Sequence, residues 1–299
     1  MTGQRAQISL LPDGRRLHLH DGPIDLIVEA FGTADQVRAA YRAGAQRFVN
    51  VLDELCAELA LLRQAFKPDS DEPRGVVARR MAAAVAPYSE RTFITPMAAV
   101  AGAVAEEILA AMTASATLDR AYVNNGGDIA IHLQPGQQFV IGIVERPDRP
   151  SLFGTAVLKA TQPVRGIATS GWRGRSFSLG IADAVTVLAD RAAVADAAAT
   201  IIANAVDLPG HASVVRVPAR DLAPDNDLGE RLVTQEVGEL SSEEISRALD
   251  GGEQRARSLL SSGLIRAAAL RLREQTRVVG QIHRDGLRVP VLERSLVSA

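Results

Sequence analysis

Residues 97–133 read MAAVAGAVAEEILAAMTASATLDRAYVNNGGDIAIHL. The first part, 97–114, is a helix built of small residues on nearly all sides, so its backbone is expected to pack closely against other backbone. Strand AYV follows, then the loop NNGG and strand DIAIHL. A PGQ turn leads straight into a further strand, QFVIGIV. A long helix followed by strands in succession, without regular βαβ alternation, argues an α+β fold.

Outward from this stretch the same mixture continues. RAQISLL, RLHLH and IDLIVEA alternate as three short antiparallel strands joined by PDGR and DGP turns. Thr33 or Asp35 can cap a helix whose apolar spacing runs to Phe66. KPDSDEPRG reads as a linker and 75–88 as a helix. GTAVLKATQ and ADAVTVLA read as strands, VADAAATIIANAVDL as a helix ending before Pro209-Gly210, and ASVVRV as a strand. Ser241 and Glu244 form a capping box, ahead of helices expected at 242–250 and 253–272 and a strand-like TRVVGQIH. The expected architecture is one α+β domain over 1–220, with mixed or antiparallel sheets and packed helices. Residues 221–299 are expected as a helical extension packed on it.

Composition narrows the function. Apolar residues make up 47% of the 299, enough for a sizeable core, and the net charge of -2 offers no field for a phosphodiester backbone. Nucleic acid is therefore not an expected partner. The apolar runs are broken before the ~20 residues of a membrane span, and the N-terminus has no apolar leader core. The chain reads as cytoplasmic. Its one cysteine, Cys56, is expected as buried helix filler. The alanine-rich helix 97–114 can serve a homodimer interface as well as a core.

Three clusters carry candidate chemistry. Asn124-Asn125-Gly126-Gly127-Asp128 joins two strands; its glycines suit either a tight turn or close approach to a ligand. Gly166-Ile167-Ala168-Thr169-Ser170-Gly171, followed by Trp172-Arg173-Gly174-Arg175-Ser176, combines small residues, hydroxyls and arginines, which suits either a phosphate or a surface loop. Asp196 and Thr200 lie four apart on a helix and share a face, as either hard-oxygen metal ligands or helix-stabilising groups.

In order and spacing, NNGGDI, GIATSG, VTVLA and ADAAAT resemble the ApbE family of flavin transferases. TPMAAVAGAVAE, NNGGDIAI, GRSFSLGIADAVTVLA and ADAAATIIANAV are similar to the UPF0280 branch of that superfamily, over roughly residues 90–206. The resemblance implies an ApbE-like fold and a Mg²⁺-dependent split of FAD at its pyrophosphate. FMN then passes to a Thr or Ser of a target flavoprotein, and AMP is released. A dinucleotide pyrophosphate hydrolase is the related reading.

On that resemblance Asp196 and Thr200 are the metal ligands, completed by a main-chain carbonyl in 99–102. Asn125, Gly126, Gly127 and Asp128 line the nucleotide pocket, and Thr169, Ser170 and Gly171 border the flavin or its phosphates. The chain departs from the family at its HxxDPxTG block, where it has Ser176-Phe177-Ser178-Leu179-Gly180-Ile181-Ala182-Asp183. Ser178 and Asp183 are the candidate catalytic replacements. The alternative is a non-catalytic flavin-binding or carrier module.

Overall fold

The computed structural model describes residues 5–144 and 152–280. Period-two alternation near the N-terminus gives three strands, β1 (Gln7–Leu10), β2 (Leu17–Asp21) and β3 (Ile24–Phe31). Leu17, Leu19, Leu26 and Val28 point to one face and are buried, while His18 and Asp25 on the other face hydrogen-bond at 3.0 Å. Further strands are β4 (Arg120–Asn125), β5 (Asp128–Leu133), β6 (Gln138–Val144), β7 (Leu152–Lys159), β8 (Gly166–Ser170) and β9 (Ala184–Ala189). After them come β10 (Val214–Pro218), β11 (Leu232–Val237), β12 (Ala267–Leu272) and β13 (Gln275–Gly280).

Nine strands form one sheet in the order β1-β2-β3-β4-β5-β8-β9-β12-β13, antiparallel at every pairing. The fold is α+β, as the order of elements argued. Helices α1 (Ala34–Phe48), α2 (Val51–Ala57), α3 (Leu59–Leu62), α4 (Val76–Val85), α5 (Val100–Ser115), α6 (Ala192–Ala205), α7 (Ala219–Leu222) and α8 (Ser242–Ser261) complete it. The buried residues of α1, α4, α5, α6 and α8 form one core with Val28, Val123, Ala130 and Val187 of the sheet. The opposite face carries a second cluster. There Ile131, Leu133, Ile167 and Leu188 meet Phe139, Ile141 and Leu158 of the β6–β7 hairpin.

Several local expectations change. The helix expected from Thr33 to Phe66 breaks after Phe48 into α1, α2 and α3, with Thr33 capping α1 through the Gln36 N–H. GIATS is a strand between β5 and β9, because its small residues fit under the helices that cover the sheet. Residues 242–261 form one helix, and 267–272 are strand β12 where helix was expected. Main-chain pairing with β9 and β13 overrides the helical spacing there. Cys56 is exposed on α2, not buried. The stretch Pro96–Ser115 is long and apolar enough to cross a membrane by length and composition, which corrects the reading of broken runs. Here it lies in the core, with Gly102, Ala103, Val104, Ala105, Ile108 and Met112 buried.

Candidate functional site around the start of helix α5

The β4–β5 connection is a two-residue hairpin turn. Asn125 pairs with Asp128, and Gly126 and Gly127 between them have φ of +64° and +115°. L side chains rarely adopt those values, so glycine is required there. The Asn124 side chain accepts the Gly127 N–H at 2.8 Å and stiffens the turn. Asn125 is buried and donates its amide to the Ala101 carbonyl at 3.2 Å, tying the turn to the first residues of α5.

Helix α6 reaches the same place from the other side. The Asp196 carboxylate accepts the Gly102 N–H at 2.9 Å. It thereby satisfies one of the donors that a helix leaves unpaired at its N-terminus, where the helix dipole favours negative charge. The approach is possible because Gly102 has no side chain: a Cβ there would press into the Ala192 carbonyl. Thr200 lies one turn further along α6 on the same face, partly buried.

Asp128 opens β5. Main-chain pairing between β5 and β8 covers Ile129 and Ala130, and the Asp128 Oδ1 takes the next donor, the Thr169 N–H, at 3.2 Å. Burial pushes the Asp128 carboxyl up to about 7. Asp196 is held well above the usual carboxylate range, first by burial and then by the charge of Asp128. Burial and the neighbouring Asp128 charge both favour the protonated form of Asp196.

The other expected residues divide. Thr169 contributes its N–H to Asp128, while its hydroxyl pairs with that of Thr186 at 2.9 Å. Ser170 ends β8 partly buried, and Gly171 packs against the Asp183 carbonyl. Ser178 is buried at the far end of α6. Its hydroxyl donates to Asn204 Oδ1 at 3.2 Å and accepts the Gly180 N–H at 3.2 Å. Asn204 is about 12 Å along the helix axis from Asp196, so Ser178 is not brought to the carboxylate pair.

Asp183 is buried as well. Its Oδ1 accepts from the Trp172 indole at 3.1 Å and from Arg173 Nε at 3.0 Å, and its Oδ2 accepts the Arg273 N–H at 2.6 Å. It braces the segment after β8. His132, roughly 13 Å along β5 from Asp128, bonds the Leu118 carbonyl. Arg165 donates to the carbonyls of Ala160, Gln162 and Val164 and lines a cleft of about 340 Å³ with Glu106 and Arg191.

Residues that the sequence did not mark also shape the site. Glu106 accepts the Ala193 N–H at 2.9 Å, capping α6, and pairs with Arg191 at 2.8 Å. Arg273, at φ 53°, holds Asp183 from the β12–β13 turn. No local spacing signals either role. Among the described residues no group of three or more His, Cys, Asp or Glu side chains is arranged to hold a metal ion. A metal at this site would therefore draw on few carboxylates, with hydroxyl and main-chain oxygens beside them.

Residues 8–278 match the family model described as AbpE bacteria. A UPF0280 protein of Methanopyrus kandleri is 43% identical over 129 residues, which are 43% of this chain and 48% of that protein. A UPF0280 protein of Methanococcoides burtonii is 37% identical over 152 residues, 50% of this chain and 60% of that protein. The chain spans about half the length of the curated relatives it matches. The apo form of flavinyl transferase ApbE from Pseudomonas stutzeri superposes at a TM-score of 0.38 and 12% identity, over 94% of this chain and 97% of that one. With the family match running from β1 to β13, this chain belongs to the AbpE bacteria family, and over part of its length it is similar to UPF0280 proteins.

Proposed function

We propose that this protein binds FAD at the start of α5 and uses a divalent cation, Mg²⁺, to split its pyrophosphate. FMN passes to a hydroxyl of a target protein, or to water, and AMP leaves. The observation that carries this reading is the partly buried pair Asp128 and Asp196, held on the Thr169 and Gly102 N–H groups, with Thr200 one turn beyond Asp196. Family membership and the motifs NNGGD, ATSG and ADAAAT support it.

The donor set fits Mg²⁺: carboxylate, hydroxyl and main-chain oxygens are hard ligands. Asp196 and Thr200 would hold the ion beside a carbonyl of 99–102. A bound Mg²⁺ supplies charge neutralisation at a pyrophosphate. The chain's own groups do the rest. Asn125 and the Gly126-Gly127 turn position the nucleotide against the start of α5.

Asp128 manages the proton. Its Oδ1 faces the Thr169 N–H, so Oδ2 carries the proton when the group is neutral. With a pKa near 7 it can accept the proton of the attacking hydroxyl as the oxygen–phosphorus bond forms and the bond to AMP breaks.

A second reading, flavin binding without turnover, draws on Ser178 and Asp183. Both are committed to structural hydrogen bonds, so neither of them is a free base or nucleophile. Calorimetry with FAD, with and without Mg²⁺, followed by assay of AMP, separates the two. Mg²⁺-dependent binding with AMP release supports the transferase or hydrolase. Binding without AMP supports the carrier, and no FAD binding removes both.

A further inference from the structure

We infer that Arg175, with Arg173 beside it, is the element of this site that recognises a diphosphate. The inference rests on the nucleotide site proposed above and names the side chains that would grip its phosphates. After Ser170 the chain turns back on itself through a Gly174 N–H to Gly171 carbonyl bond of 3.0 Å. Arg173 is held by its Nε on Asp183, and its guanidinium carbon lies 4.1 Å from the centre of the Trp172 ring. Its orientation is set before any ligand arrives, while its two terminal amino groups are not the ones that bind Asp183.

Arg175 crosses the site in a different way. Its Nη2 donates to the Pro23 carbonyl at 3.1 Å, in the turn between β2 and β3. A Cβ built on Gly126 would lie 3.3 Å from its Nη1, so the guanidinium rests directly over the β4–β5 turn. Among the described residues no carboxylate forms an ion pair with Arg175, whereas Arg47, Arg80, Arg191 and Arg266 all pair with acids. The position of Gly127 beside it opens to empty space. An exposed guanidinium with this posture presents a planar fork of donors, the geometry that phosphate oxygens match.

The acids nearby set the ligand class. Asp128 opens β5 at the foot of this same turn, with Asp196 in electrostatic contact. A diphosphate that carries a divalent cation presents positive charge to the two carboxylates and oxygens to the two arginines.

The test uses the full-length protein and Trp172, its one tryptophan, as the reporter. Mg²⁺-pyrophosphate is titrated against wild type, R175Q, R173Q and R38Q. Arg38 pairs with Asp35 on the exposed face of α1 and serves as a charge control. Wild type and R38Q are expected to give the same saturable change in emission. R175Q should weaken binding about ten-fold or more, the loss of a charge-assisted contact. Equal melting temperatures would show that R175Q folds.

Binding by R175Q within about two-fold of wild type overturns the assignment. So does a wild type that takes up no pyrophosphate by fluorescence or calorimetry. FAD titrated in parallel keeps the two ideas apart. FAD bound equally by wild type and R175Q leaves the flavin reading and removes the clamp. Arg175-dependent pyrophosphate binding without FAD binding keeps the clamp and removes the flavin.

Discussion

Asp196 and Glu106 each close the N-terminus of the helix that carries the other. Asp196, on α6, accepts the Gly102 N–H at the start of α5; Glu106, on α5, accepts the Ala193 N–H at the start of α6. Each carboxylate meets the positive end of a helix dipole, so the exchange is favourable twice over. It also sets the crossing of the two helices at the one place where Gly102 lets them touch. The candidate site is built on that crossing, with the β4–β5 turn attached through Asn125.

Gly102→Ala should therefore weaken the fold even though it raises helix propensity. The new Cβ meets the Ala192 main chain, which cannot rotate away. A loss of about 1–3 kcal/mol is expected from overpacking, read as a lower urea midpoint. Stability equal to wild type would show that the crossing is not tight.

Substitutions at Asp196 should separate its two roles. Asp196→Asn keeps an oxygen for the Gly102 N–H and removes the charge, so stability should hold within about 1 kcal/mol. Mg²⁺-dependent FAD binding should be lost. Asp196→Ala should lose that binding and also cost roughly 1 kcal/mol as a missing cap. If Asp196→Asn binds FAD with Mg²⁺ as well as wild type does, the metal role is wrong.

The pH dependence has a definite sign. A carboxyl whose folded-state pKa is raised holds its proton more tightly in the folded protein than in the unfolded chain. Asp128 therefore contributes its stability below the ordinary carboxylate value near 4. That contribution is lost progressively as pH rises to about 7, and the curve is flat above. Without metal, the protein should lose stability across this window, by about 1.4 kcal/mol for each tenfold difference in proton affinity between folded and unfolded chain. Asp128→Asn should flatten the curve in denaturant titrations at several pH values. Apparent Mg²⁺ affinity should move the other way and rise with pH through the same window, since the cation displaces the proton. A pH-independent Mg²⁺ affinity would count against the carboxylate pair as its site.

Asp183→Asn should be read through Trp172. The amide retains an acceptor for the indole but turns a donor toward the Arg273 N–H or Arg173, and removes the counter-charge of Arg173. A loss of about 1–3 kcal/mol is expected, with a red shift of tryptophan emission as the ring loosens. Unchanged emission would show that Asp183 does not brace Trp172.

Much of this was readable from one sequence because the signals are local. Alternation in RLHLH and IDLIVEA is a property of neighbouring residues, and so is the capping box, in which the Ser241 Oγ accepts the Glu244 N–H and the Glu244 carboxylate accepts the Ser241 N–H. The Gly126-Gly127 turn is dictated by backbone stereochemistry. Where local preference and long-range pairing disagreed, pairing decided. AAALRL has helical composition, yet it is β12 because β9 and β13 satisfy its backbone on both sides. GIATS is too small to advertise a strand, and the helices above it need it small. Cys56 has the spacing of a core residue on a helix that was expected to run on to Phe66; the break after Phe48 turns it outward.

The sequence by itself determined the kind of fold and the motifs NNGGD, ATSG and ADAAAT, since both are written in residue type and short spacing. Only the tertiary structure decided that Asp128 and Asp196 perturb one another, that Glu106 caps α6, and that Ser178 and Asp183 are tied into the frame. A carboxylate's proton affinity and a hydroxyl's freedom depend on which groups the rest of the chain brings within a few ångströms. No local pattern of residues carries that information.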